Sequence, residues 1–396
     1  MNPFRRNGAR VALSALVAGA VLAAAAACGG ETSVRTPAPD HAAPPALAAA
    51  LDRVVQSGIP GVQVVLDGPG GHRVYTAGVG DIGTGAPFQD DALVRIGSNT
   101  KTFVATVVLQ LVAEGKVDLT APIERYLPGV VQGNGNDGNR VTVHHLLQHT
   151  SGLPDYLGHG NGTSIDANGP AQLDPDEDAI RTQHFEAAEL VRNAMTMPPN
   201  FEPGAKSVYT NTNYLLLGML IERVTGRPYT DEIESRIIAP LGLKSTYSPP
   251  SGERTLRDPH PRGYHVREGK QTDFTELDPS WGGAAGAMVA SNADLNTFTV
   301  ALLSGKLLPP AQLAQMQQTV PFDRMPGAGY GLGLIQRTTS CGKQAWGHGG
   351  SIPGFGTRNS ATADGKAVAV AVNQLPTSDE SSELIEAVLD TALCAQ

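Results

Sequence analysis

The chain has 396 residues, 41% hydrophobic and 17% charged, a balance that excludes a fibrous or wholly disordered protein and allows an ample buried core. Lys and Arg number 29 against 38 Asp and Glu, a formal charge of −9 that argues against nucleic acid as a partner. The 46 glycines and 29 prolines point to many tight turns and some extended linker.

Residues 1–27 read as an export signal and not as part of the fold. Arg5, Arg6 and Arg10 form a basic n-region, and Val11 to Ala27 is a short, weakly apolar run of small residues, poorly suited to a stable membrane span. The run ends in Ala25-Ala26-Ala27-Cys28, which resembles the lipobox of bacterial lipoproteins and implies lipidation of Cys28, with simple secretion as the alternative. Residues 28–45, with Thr36-Pro37-Ala38-Pro39, have the composition of a flexible tether. Removing residues 1–27 takes away three of the 29 basic side chains and no acids, so the mature body has 26 against 38 and is more acidic still. The expected location is the extracellular face of the cell membrane as a lipoprotein, or the medium.

In chain order, residues 46–57 carry apolar positions at helical spacing. Strands follow at Val62–Leu66 and His72–Ala77 across a Gly-rich turn, and a third apolar run, Leu93–Ile96, leads into Gly97-Ser98. A helix is predicted from Ser98 to Glu114, closed by Gly115. From about 116 to 320 the pattern is helical with long loops. Thr142 caps one helix, Asn213–Val224 is another, Ser291 caps a third, and Gly158–Asp178 is a loop. Strands return at Tyr330–Gln336, Gln344–Gly347, Phe355–Ala361 and Ala367–Asn373, followed by a final helix capped by Ser378. Strands at both ends around a helical middle imply an α/β (α+β) fold: one antiparallel sheet built from the N- and C-terminal segments of a domain spanning 46–396, flanked by the terminal helices, with a helical lobe inserted.

Of the three cysteines, Cys28 is accounted for by export, which leaves Cys341 and Cys394 as an even pair in an oxidising compartment, so a disulfide is expected. His144, His145 and His149 lack a metal-ligand spacing, so no metal or other cofactor is expected, and His149-Thr150-Ser151-Gly152 reads as a turn.

Ser98-Asn99-Thr100-Lys101 starts the strongest predicted helix. A serine hydroxyl needs an adjacent base to act as a nucleophile, and positions i and i+3 share one helical face, so Lys101 can reach Ser98. The helix N-terminus adds free N–H groups suited to an oxyanion. Tyr209-Thr210-Asn211 precedes the second long helix, and His348-Gly349-Gly350 lies on a C-terminal strand. The order Ser-x-x-Lys, Tyr-x-Asn, His-x-Gly resembles the penicillin-recognising serine hydrolases: class C β-lactamases, the soluble D-alanyl-D-alanine carboxypeptidases of actinomycetes and related esterases. Ile96-Gly97-Ser98, His149-Thr150-Ser151-Gly152-Leu153, Tyr330–Leu334 and Trp346–Gly350 extend the likeness over about residues 45–396. The segment from Ser280-Trp281 to Ala287 and the cysteine pair are most similar to the carboxypeptidase type.

The resemblance implies a β-lactamase/DD-peptidase-like fold with an all-helical lobe, an acyl-enzyme on Ser98, and Lys101 and Tyr209 as proton-handling partners. It implies substrate contacts from Asn211, Trp281, His348, Gly349, Gly350 and Ser351, and an oxyanion hole made of the Ser98 amide and an amide near Ser351 or Ile352. The expected ligands are a small-molecule or peptidoglycan-peptide substrate and acylating β-lactams, with membrane contact through the lipid anchor and a monomeric protein. Two departures stand out. Gly349 replaces the threonine common in carboxylate-selective members, and Ile335 stands where the carboxypeptidases have arginine after Gly-Leu-Gly-Leu. D-Ala-D-Ala carboxypeptidase is the leading activity, class C-type β-lactamase or esterase the alternative, and a non-catalytic β-lactam- or peptidoglycan-binding protein the rival of another class.

Overall fold

The computed structural model describes residues 42–158 and 173–395. The expected signal, Cys28, most of the tether and residues 159–172 of the predicted loop lie outside the described residues.

Helix α1 (Pro45–Gln56) leads into β1 (Gly61–Asp67) and β2 (Arg73–Gly78). The C-terminal part supplies β3 (Val320–Pro321), β4 (Gly329–Tyr330), β5 (Ile335–Thr338), β6 (Gln344–Ile352), β7 (Phe355–Thr362) and β8 (Ala367–Val372), closed by α5 (Asp379–Cys394). Hydrogen bonding joins them in one eight-stranded sheet of order β3-β4-β5-β6-β7-β8-β1-β2. Every pairing is antiparallel, and β1 docks directly on β8, with Val62 opposite Val372 and Asp67 opposite Ala367. The antiparallel sheet expected from the two ends of the chain is thus observed.

Alternation along β8 shows how the sheet is covered on both faces. Val368, Val370 and Val372 join Leu47, Leu51 and Val54 of α1 and Ile385, Val388 and Leu389 of α5 in one apolar cluster. Ala369 and Ala371 point the other way, into the larger cluster that holds α2 (Thr100–Ala113) and α4 (Asn292–Leu303). Phe103 of α2 stacks on Phe298 of α4 with ring centroids 3.7 Å apart. A strand buried on both faces reads as a continuous apolar run, as Ala367–Val372 does.

Helix α2 is buried on nearly every side, including Thr102, Thr106 and Lys101. It packs against α3 (Thr212–Thr225), which ends at Gly226 in the left-handed conformation. Thr142, Ser291 and Ser378 accept helix N-cap hydrogen bonds, as predicted.

The strands differ from the sequence reading in two places. The predicted strand Tyr330–Gln336 is two strands, because the chain turns between Gly331 and Leu334 with Gly333 at φ 78°. Strand β6 runs on to Ile352, since the apolar pattern stops at Gly347 while the ladder to β7 continues through His348, Gly349 and Gly350 to Ile352 opposite Phe355. Of a small sheet of Leu93–Arg95, Val289–Ser291 and Thr246–Tyr247, only the first strand was visible in the pattern, as the apolar run Leu93–Ile96.

Candidate active site

Ser98 lies in a 3-10 turn, Gly97–Asn99, between Leu93–Arg95 and the first turn of α2. This turn is pressed against β6. A Cβ on Gly350 would stand 1.9 Å from the Ile96 carbonyl oxygen, and one on Gly97 2.8 Å from the Ser351 nitrogen. Only glycines allow that approach. Thr357 of β7 secures it by donating to the Ile96 carbonyl at 3.0 Å and accepting from Asn99 Nδ2 at 2.8 Å. The Ser351 amide therefore adjoins the Ser98 turn, the arrangement required of a two-amide oxyanion hole.

Lys101, on the first turn of α2, is fully buried. Its Nζ lies 2.9 Å from Ser98 Oγ, 2.8 Å from Asn211 Oδ1 and 2.7 Å from the Ala285 carbonyl oxygen. Desolvation pulls its pKa well below the ordinary lysine range, opposed by the charge of Asp155. A neutral amine has two hydrogens and one lone pair. Asn211 Oδ1 and the Ala285 carbonyl can only accept, so when the amine is neutral they take both hydrogens and leave the lone pair for the Ser98 hydroxyl.

Tyr209 is buried with its ring 4.8 Å from Lys101 Nζ and 4.3 Å from the guanidinium of Arg324. Burial pushes its hydroxyl above the ordinary phenol range, while a hydrogen bond with Ser98 and the charge of Arg324 pull it back. The group is a phenol at neutral pH. His348 is buried too; desolvation first and the Lys101 charge second bring its pKa down to about 3. Its Nδ1 lies 2.6 Å from the Gly349 carbonyl and must donate, so Nε2 accepts from Tyr330 Oη at 3.1 Å.

A cleft of about 650 Å³ is lined by Ser98, Tyr209, Asn211, Trp281, His348, Gly349, Gly350 and Ser351, all of them singled out from sequence. Trp281 serves the core as well, and its carbonyl accepts from Tyr156 Oη at 2.5 Å. Asn211 Oδ1 faces Lys101, and its Nδ2 donates to Asp155 at 3.1 Å, so its amide is held from both ends. Cys341 and Cys394 form a disulfide with Cα atoms 5.8 Å apart.

Sequence reasoning missed several groups. Asp155 is buried behind Asn211, and its only signal was its place just past the His149–Leu153 motif. Tyr330 supports His348, and Arg324 and Arg358 line the cleft from loops and strands far away in sequence. His149 is more than a turn residue: at φ 58° its ring packs 4.2 Å from Tyr209, and its Nδ1 accepts from Thr210 N at 3.3 Å.

A family model described as Beta-lactamase matches residues 45–393. The chain belongs to the β-lactamase family. It is a serine hydrolase of that family, whose homologues include penicillin-binding proteins and esterases. A D-stereospecific amidohydrolase from Streptomyces sp. has a similar structure, with a TM-score of 0.79 and 38% identity over 89% of this chain and 98% of its own. The D-amino acid amidase of Ochrobactrum anthropi SV3, solved with L-phenylalanine amide, has a TM-score of 0.73 and 32% identity over 87% of this chain and 96% of its own. Esterase EstB of Burkholderia gladioli is 33% identical over 205 residues, 50% of each protein, so the match spans half the length of that esterase.

Proposed function

We propose that this β-lactamase-family hydrolase cleaves amides and esters of D-configured amino acids or peptides through an acyl-Ser98 intermediate. The observation that carries the reading is the three-way setting of Lys101 Nζ between Ser98 Oγ, Asn211 Oδ1 and the Ala285 carbonyl. Ser98 Oγ attacks the substrate carbonyl carbon while its proton passes to Lys101 Nζ. The Ser98 and Ser351 amides receive the oxyanion. As the bond to the leaving nitrogen or oxygen breaks, Tyr209 gives that atom its proton and regains one from the Lys101 ammonium. Water then repeats the steps on the acyl-enzyme and releases the acid.

The substrate class is supported by the likeness over nearly the whole length of two hydrolases whose names specify D-configured amide substrates, and by Gly349, which offers no hydroxyl to a terminal carboxylate. A second reading, D-Ala-D-Ala carboxypeptidase, is favoured by Arg324, Arg337 and Arg358 lining the same cleft. Export of the chain and lipidation of Cys28 complete the proposal; a Cys28→Ala variant should leave the membrane fraction.

The test is labelling and turnover together. A fluorophosphonate should label the protein once, and Ser98→Ala should abolish the label. A panel of D- and L-phenylalanine amide, an acyl-D-Ala-D-Ala peptide, a nitrophenyl ester and a chromogenic cephalosporin should show the highest kcat/KM on a D-amide or an ester. Fastest turnover of the cephalosporin or the free-acid peptide would move the assignment to β-lactamase or carboxypeptidase.

A further inference from the structure

Asp155 is 2% exposed, yet it carries a carboxylate in the core. Its Oδ1 accepts from the Leu157 amide at 3.1 Å, and its Oδ2 from both the backbone N and the Nδ2 of Asn211, each at 3.1 Å. An ionised carboxylate only accepts, so it dictates which end of the Asn211 amide faces it. The Nδ2 end turns to Asp155, and Oδ1 is left pointing at Lys101 Nζ, 2.8 Å away.

We infer that Asp155 is a positioning residue for the acylation step, locking the Asn211 amide so that Lys101 keeps its lone pair aimed at Ser98. The inference rests on Lys101 acting as the base. Were the amide reversed, an N–H would face the amine, and the lone pair would be taken by Asn211 instead of the Ser98 proton. The carboxylate has a second effect through space. Desolvation lowers the Lys101 pKa and Asp155 offsets part of that, whereas Arg324 adds to the lowering. The other titratable rings around the amine are Tyr209 and Tyr214, with His149 and His348 nearby, each of the two histidines held below its ordinary range chiefly by burial.

The experiment follows the rate of Ser98 labelling by the fluorophosphonate against pH in the full chain. Asp155→Asn removes the charge and can present an NH₂ to Asn211. It should slow labelling by roughly 10–100-fold, the worth of a charge-assisted hydrogen bond, and move the acid limb of the profile to lower pH. In an Asn211→Ala background the same substitution should add little to the slowing, because the amide it orients is gone. Equal slowing in both backgrounds, or an acid limb that stays in place, overturns the inference. If Asp155→Asn fails to fold, Asp155→Glu replaces it. That variant keeps the charge but displaces the carboxylate, so the limb should stay and the rate should fall; a native rate overturns the inference. Absence of labelling in the unaltered protein would instead overturn the acyl-Ser98 reading.

Discussion

Gly349 and Arg358 are partners across β6 and β7, and a Cβ on Gly349 would stand 3.1 Å from Arg358 Cδ. The bare position lets the arginine lie along the strand, where Nη1 donates to the Thr357 carbonyl at 2.9 Å and Nε to Glu386. Arg337 binds the other oxygen of Glu386. The threonine hydroxyl and the guanidinium missing at Gly349 and Ile335 are therefore partly offset, since both arginines line the cleft.

Gly349→Thr should add a hydroxyl where a leaving-group carboxylate would lie, at the cost of a small shift in the flexible Arg358 side chain. The kcat/KM ratio of a D-Ala-D-Ala peptide to its C-terminal amide is expected to rise about tenfold. An unchanged ratio would show that position 349 does not meet the leaving group. Ile335→Arg is a poorer test of the same question. Ile335 is 5% exposed and packs with Tyr209, Phe322 and Tyr330, so a guanidinium there would be desolvated and should lower stability instead of changing specificity.

Lys101→Ala and Tyr209→Phe should each reduce kcat by about 10²–10⁴-fold. Acylation needs the free amine, so kcat/KM should fall as pH drops through the lowered Lys101 pKa. That acid limb should lie well below the ordinary lysine value of about 10.4. A limb near the ordinary value would count against Lys101 as the base.

Burial pushes the Glu386 carboxyl upward, but Arg358 and Arg337 outweigh it and hold the group below its usual range. A carboxyl depressed in the folded state contributes stability above its unfolded pKa of about 4.3, and that stability is lost as pH falls through the folded pKa. Glu386→Gln leaves two cleft arginines without their anion and should cost about 2–4 kcal/mol at neutral pH. Urea midpoints should differ clearly at pH 7 and converge in acid. Equal midpoints at pH 7 would show the pair to be energetically neutral.

The Cys341–Cys394 bond ties the turn between β5 and β6 to the end of α5, and neither cysteine lines the cleft. Replacing both by serine should cost about 2–4 kcal/mol on the chain-entropy model, seen as a lower Tm, with kcat/KM on a small amide unchanged. An unaltered Tm would mean that helix packing alone holds α5.

From the sequence alone, the pairing of Ser98 with Lys101 was readable because it is local. Ser98 and Lys101 are one helical turn apart, and capping residues, apolar periods and β-branched runs mark their own elements. Tyr209, Asn211 and His348 were found because short motifs carry them in a fixed order. Only the tertiary structure decided what those residues experience. The protonation of Lys101 depends on the burial of α2 on nearly every side, and the direction of the Asn211 amide depends on a carboxylate 56 residues earlier in the chain. The cleft arginines Arg324, Arg337 and Arg358 belong to a loop and two strands whose meeting at the cleft is set by sheet order. Burial and charge pairing are sums over distant neighbours, and no window of sequence contains them.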